Sequence, residues 1–176
     1  MVKVAILGFG VVGSGVAEVL SGNGAGIQKK ADELIEVKYI LDVRDFPDSP
    51  FAQHFVKDFS VIENDPEVNV VVETIGGVGA ALDFTERALK QGKSVVTSNK
   101  ELVATHGRRL LDLAAQNNAV YLFEASVGGG IPILRPLSEC MSANEILEIC
   151  GILNGTANYI FTRMVKDHVP FAEALA

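Results

Sequence analysis

A β-branched run, Val2-Lys-Val-Ala-Ile-Leu7, ends abruptly in Gly8-Phe-Gly-Val-Val-Gly13, and this junction constrains the chain more than anything else in it. A run so continuously apolar reads as a strand buried on both faces. The G-x-G-x-x-G pattern then sets a tight turn at Gly8, a close backbone approach at Gly10 and close helix–strand packing at Gly13. Val11 to about Leu20 follows as a helix, whose N-terminus offers unpaired N–H groups and a partial positive charge to a pyrophosphate. Strand, loop and helix in this order make a dinucleotide-binding unit, with Gly8, Phe9, Gly10, Val11, Val12 and Gly13 as its phosphate cradle.

The same grammar repeats downstream. Glu36–Val43, Val68–Thr74, Ser94–Thr97 and Ala119–Phe123 read as further strands, with Ala80–Gln91 and His106–Asn117 as helices between them. Ser21–Glu33 reads as a loop with helix ends, and Phe46-Pro-Asp-Ser-Pro50 as a turn. Strands alternating with helices predict an α/β chain, a Rossmann-type doubly wound parallel sheet with helices on both faces. After Ala125 the pattern changes: Ser126-Val-Gly-Gly-Gly130 is a glycine loop, Pro132 suits the first turn of a helix, Glu145–Leu153 reads as a strand and Thr156–Val169 as a helix. Phe171–Ala176 opens a further helix. Residues 1–130 are therefore expected to form the nucleotide domain, and residues 131–176 the incomplete beginning of a second, α+β domain. The strand at 145–153 would present an open apolar edge, so the chain is expected to self-associate or to stay mobile beyond about Ile131.

Composition removes other classes. The 15 Lys+Arg against 22 Asp+Glu, net charge −7, leave no basic face for sequence-independent nucleic-acid binding. No stretch approaches the roughly 18 apolar residues of a membrane helix, and the glycine-broken N-terminus lacks a signal-peptide cleavage site. The expectation is a cytoplasmic protein with a small-molecule partner, neither nucleic acid nor membrane. Cys140 and Cys150 make no C-x-x-C pair and stand beside no histidine, so they read as buried, inert thiols. His54, His106 and His168 show no metal-ligand spacing.

Open α/β sheets bind ligands at the carboxyl ends of their strands, and four segments fall there: Glu73-Thr-Ile-Gly-Gly77, Thr97-Ser-Asn-Lys-Glu101, Glu124–Ile133 and Gly151–Ile160. At the end of the second strand, Asp42 and Arg44 share a face. Asp42 suits the free 2′-hydroxyl of NAD and Arg44 the 2′-phosphate of NADP, and at this level both cofactors stay open. Ile75, Gly76, Thr97 and Ser98 are assigned to the cofactor. Lys100, at a strand exit, places an ammonium where it can hydrogen-bond a substrate oxygen or the nicotinamide region. Glu124, followed by a glycine-rich turn with exposed carbonyls, suits a monovalent hard cation. Asn154-Gly-Thr156 either caps the last helix or meets a substrate carboxylate.

Taken together, these segments and the Gly8–Gly13 loop resemble homoserine dehydrogenase along essentially the whole chain, with Ala157 in place of that family's usual threonine as a small departure. The resemblance implies NAD(P)-dependent hydride transfer interconverting L-aspartate 4-semialdehyde and L-homoserine, on the route to threonine and methionine. It implies Lys100 as an active-site residue touching cofactor, and Asn154, Gly155 and Thr156 beside the substrate. It also implies a sodium ion held by Glu124 and the backbone of Val127, Gly129 and Ile131, and a homodimer in the full-length protein. The family continues into a substrate-binding acidic stretch and a proton-donor segment absent from this sequence, so the chain is expected to bind dinucleotide without turnover. Two other readings stay open: a stand-alone NAD(P)-binding or redox-sensing module, and a thiol-dependent semialdehyde dehydrogenase, which would need an activated Cys.

Overall fold

The structure is a computed structural model that describes residues 1–141, 143–152 and 154–175. Six parallel strands form one sheet in the order β3-β2-β1-β4-β5-β6. β1 (Val2–Leu7) lies between β2 (Ile35–Leu41) and β4 (Val68–Glu73); β5 (Ser94–Thr97) and β6 (Tyr121–Leu122) extend one side and β3 (Phe55–Val56) ends the other. The chain builds outward from β1 to β3, returns, and builds outward again from β4. The strand order therefore reverses between β1 and β4, and such a switch point opens a crevice at the carboxyl ends of the strands.

β1 explains why the sheet is covered on both faces. Val4 and Ile6 pack with Ile40 and with Ala17 of α1 (Val11–Gly22), whereas Ala5 and Leu7 pack into the opposite layer. That layer holds Val71 and Val95, Phe59 and Ile62 of α3 (Phe59–Glu63), Ala81, Ala88 and Leu89 of α4 (Gly79–Lys90), and Leu102, Leu110 and Ala114 of α5 (Lys100–Gln116). None of the four β1 side chains is more than 3% exposed, and burying a Leu or Ile side chain contributes about 1.5–3 kcal/mol. A strand with no polar face is stable only between two helical layers.

Several elements depart from the sequence expectation. α5 starts at Lys100 rather than at His106, because the Asn99 side chain accepts a hydrogen bond from Leu102 N–H at 3.1 Å and caps the helix there. The last strand contracts to Tyr121–Leu122, since only those residues pair with β5. The glycine-rich stretch after α1 holds α2 (Gly24–Ala31), and β3 and α3 were not anticipated. Glu145–Leu153 is no strand: residues 145–152 are irregular, and Leu153 lies outside the described residues. Ile146, Ile149 and Ile152 recur every third residue, which does not match the two-residue period of a strand. The open strand edge argued for self-association falls with it.

The chain divides into two compact units, Met1–Leu134 and Arg135–Ala176. In the second, most of α6 (Leu134–Cys140) is followed by α7 (Gly155–Lys166) and α8 (Phe171–Leu175), with Ile160 and Ala174 buried. Cys140 and Cys150 are exposed, contrary to expectation. One ends a short helix and the other lies in the irregular stretch, so neither has a packed layer to enter.

Candidate functional site

β1 delivers the chain to Gly8, whose N–H donates to the Leu41 carbonyl at 2.8 Å. Gly8 has φ +92°, and a Cβ there would sit 3.1 Å from the Thr74 carbonyl oxygen, so both conformation and space call for glycine. Thr74 fastens the turn from β4: its N–H and its hydroxyl each donate to the Leu7 carbonyl at 2.9 Å, and the hydroxyl lies 3.1 Å from the Gly8 carbonyl. Gly13 closes the loop from behind, since a Cβ there would fall 1.9 Å from the Gly8 oxygen. Gly10 is its opposite: a Cβ there would meet no atom within 4 Å. The open side lies before the first turn of α1, where the N–H groups of Val11, Val12 and Gly13 have no carbonyl four residues back in the helix and the helix dipole favours an anion.

A cleft of about 370 Å³ runs from this loop to the end of β2, with Gly8 and Gly10 on one side, Asp42 and Arg44 at the end, and Ile75, Ala80 and Phe84 across it. Asp42 is 8% exposed. Its carboxylate accepts from Phe9 N–H at 2.7 Å, Arg44 N–H at 2.9 Å, Arg44 Nε at 3.0 Å and Arg44 Nη2 at 2.9 Å. The Arg44 guanidinium, with the Arg44 and Phe9 amides, holds the Asp42 carboxyl far below the usual carboxylate range despite the opposing cost of burial. A carboxylate offers about four acceptor sites, and these four donors fill them.

Arg44 is held from a second side. Its guanidinium lies over the Phe46 ring at 5.0 Å, and Phe9 meets Phe46 and Phe55 edge-on at 5.0 Å each. Its side chain is still 59% exposed, so its other N–H groups face outward. Lys57 adds a second cation: Nζ donates to the carbonyls of Asp42, Val43 and Arg44 at 3.1, 3.2 and 2.5 Å, and pairs with Asp45 at 2.8 Å.

Beyond the switch point, Glu73 ends β4 fully buried. Its Oε1 accepts from Ile75 N–H at 2.8 Å and its Oε2 from the Thr97 hydroxyl at 2.5 Å. Thr97 Oγ1 in turn accepts from Asn99 N–H at 3.0 Å, and Asn99 Nδ2 donates to the Gly77 carbonyl at 2.6 Å. Ile75, Gly76, Thr97, Ser98 and Lys100 thus stand on adjoining strand ends. Lys100, the first residue of α5, is exposed.

This architecture has close parallels. The family model described as the NAD-binding domain of homoserine dehydrogenase matches residues 8–124, and the homoserine dehydrogenase model matches residues 132–176. The chain belongs to the homoserine dehydrogenase family. The homoserine dehydrogenase of Bacillus subtilis is 40% identical over 179 aligned residues, covering 99% of this chain and 41% of its own. The crystal structure of the Thiobacillus denitrificans homoserine dehydrogenase superposes with TM-score 0.89 at 34% identity, over 99% of this chain and 41% of that one. A hyperthermophilic archaeal homoserine dehydrogenase in complex with NADPH gives 0.82 at 25% identity, over 99% and 59%. The chain thus spans about two fifths of the length of the bacterial homoserine dehydrogenases that it matches.

The remaining positions expected from the homoserine dehydrogenase resemblance form two further groups. Glu124 follows β6, and its Oε1 accepts from Ile133 and Leu134 N–H at 2.6 and 2.9 Å, closing the loop that contains Val127, Gly129 and Ile131. Gly128 and Gly129 take φ +74° and +61°, and a Cβ on Gly128 would lie 2.8 Å from the Ile131 oxygen. This carboxylate thus accepts from main-chain N–H groups at the start of α6. Among the described residues no three His, Cys, Asp or Glu side chains gather as a metal site. Asn154, Gly155 and Thr156 belong to the second unit, where the Asn154 side chain accepts from Ala157 N–H at 2.9 Å and caps α7. Sequence reasoning missed Lys57, Ala80, Phe84 and the role of Glu73. Lys57 reaches the main-chain carbonyls after β2 only because β3 pairs with β2, and nothing local in the sequence marks Glu73 as a buried hydrogen-bonding hub.

Proposed function

We propose that the cleft binds NADP(H) in preference to NAD(H), and that this chain supplies the dinucleotide half of an enzyme interconverting L-aspartate 4-semialdehyde and L-homoserine. The observation that carries the preference is the saturation of Asp42. A ribose-reading acid must keep an acceptor for the 2′-hydroxyl, and here Phe9 and Arg44 take all four sites. Arg44, its side chain 59% exposed, remains as the cation suited to a 2′-phosphate. Val11, Val12 and Gly13 N–H would hold the pyrophosphate, with Gly10 leaving room for it, and Ile75, Gly76, Thr97, Ser98 and Lys100 would line the nicotinamide half.

The bound cofactor supplies or accepts a hydride. The chain must hold the reacting carbons together and stabilise charge on the substrate oxygen. Lys100 would serve the second task; it is exposed at the start of α5, just past the end of β5. Asn154, Gly155 and Thr156 serve the substrate carboxylate, and Glu124 with the carbonyls of Val127, Gly129 and Ile131 serves a sodium ion. On this reading the full-length protein is a cytoplasmic homodimer on the route to threonine and methionine.

Arg44→Ala tests the assignment. The variant loses a charge-assisted phosphate contact and frees Asp42 for a ribose hydroxyl. Its affinity for NADPH should fall by roughly 10- to 100-fold, the 1.5–3 kcal/mol of such a bond, while NADH binding holds or improves. Equal losses for both cofactors in calorimetric titration would sink the assignment.

A further inference from the structure

The Glu73 carboxyl group is fully buried, with no place in the chemistry described above. A buried polar side chain is costly unless it is hydrogen-bonded, so its partners say what it is for. They come from two separate loops. Oε1 takes Ile75 N–H, two residues past the end of β4, and Oε2 takes the Thr97 hydroxyl at the end of β5. The Glu73 main-chain carbonyl also accepts from Ser98 N–H at 3.3 Å.

The direction of these bonds is fixed. Thr97 has one hydroxyl proton and gives it to Glu73, which leaves its oxygen to accept Asn99 N–H. Asn99 then ties back to the first loop through the Gly77 carbonyl and caps α5, whose first residue is Lys100. The result is a closed ring of contacts, Glu73–Thr97–Asn99–Gly77, joining the Ile75–Gly77 turn to the Ser98–Lys100 turn. An acceptor-only group at Glu73 sets the sense of the whole ring. A glutamine there could accept from Ile75 N–H only by turning its NH₂ on Thr97, whose hydroxyl proton would then lose its acceptor.

The cleft at the end of β2 is lined by Asp42 and Arg44 with Ile75, Ala80 and Phe84 across it, so the first loop borders it through Ile75, while Thr97, Ser98, Asn99 and Lys100 stand outside that lining. In a doubly wound sheet the dinucleotide crosses the switch point, one half on each side, so the Ser98–Lys100 turn after β5 faces the nicotinamide half.

We propose that Glu73 is a positioning residue for the nicotinamide half of the cofactor, acting through Ile75 N–H and the Thr97–Asn99 ring and not through contact with the ligand. The proposal rests on reading the cleft as an NADP(H) site. It weights the two halves of the ligand differently: Glu73 acts chiefly on the nicotinamide mononucleotide part, and reaches the adenosine 2′,5′-bisphosphate part only through Ile75.

The experiment is a paired calorimetric titration of the 176-residue chain with NADPH and with adenosine 2′,5′-bisphosphate, for the unmodified protein, Glu73→Gln and Thr97→Val. The second variant breaks the ring from its other side, leaving Glu73 Oε2 and Asn99 N–H without the shared hydroxyl. In both variants NADPH affinity is expected to fall about tenfold or more, with bisphosphate affinity falling no more than about twofold. NADPH affinity unchanged in the variants would overturn the proposal. So would parallel loss of both ligands, including loss through failure to fold, since Glu73 would then hold the domain rather than one half-site. If the unmodified chain binds neither ligand, the dinucleotide reading itself fails, an outcome distinct from the other two.

Discussion

Gly10→Val should leave the domain folded and remove NADPH binding. Gly10 is the N-cap of α1 with φ −83°, an ordinary value for any residue, and a side chain there enters open space. The fold should lose no more than about 1 kcal/mol, the difference between Gly and Val at a cap. The same open space is where a pyrophosphate must approach the helix N-terminus, and a branched side chain fills it. Affinity for NADPH should fall by at least about 100-fold, read by cofactor fluorescence, with thermal unfolding nearly unchanged. A variant that binds as the unmodified chain does would show that Gly8–Gly13 is merely a turn.

Gly13→Ala should do the reverse. Its Cβ would lie 1.9 Å from the Gly8 oxygen and 2.9 Å from Thr74 Oγ1. The first obstacle is backbone, itself pinned by Thr74 and by the Gly8–Leu41 hydrogen bond, so α1 must move off β1. Overpacking usually costs about 1–3 kcal/mol and sometimes more; with a rigid partner this site belongs at the upper end, about 3 kcal/mol. For a chain of this size that is a drop of roughly 6–12 °C in Tm, measurable by circular dichroism without any ligand. An unchanged Tm would mean that the helix is not seated on the strand as described. One loop thus carries two glycines with separable duties, one facing the ligand and one facing the protein.

How much of this was legible in the sequence varies with the range of the determining contact. β1 and its loop were plain because their signal is local: a run buried on both faces has no alternation to confuse with another element, and the glycine spacing follows from the turn it makes. α5 starts six residues before its expected His106, although the strand before it was bounded correctly at Ser94–Thr97, because the Asn99 side chain caps it. β3 spans only Phe55–Val56 and exists through its pairing with β2, so no local pattern announces it. Lys57 comes to the carbonyls of Asp42, Val43 and Arg44 with it.

The Asp42–Arg44 pair shows the same limit inside the site. Their spacing put both on one face, but Phe9 N–H, 33 residues away in sequence, decides that Asp42 is spent as an anchor for the loop. The stretch from Glu145 to Ile152 failed for a different reason. Its isoleucines recur every third residue, fitting neither the strand period nor a complete helical stripe, and Leu147, Ile149 and Ile152 are all exposed. Apolar content alone was allowed to stand in for periodicity.

The central claim is that the crevice between β1 and β4 is an NADP(H) site selected by Arg44 with Asp42 withheld. Titrating the unmodified chain with NADPH and with NADH by calorimetry, at one ionic strength, tests it most directly. The account predicts one site per chain and at least about tenfold tighter binding of NADPH, the worth of one charge-assisted phosphate contact. Equal affinities, tighter binding of NADH, or no binding of either cofactor at millimolar concentration would contradict it.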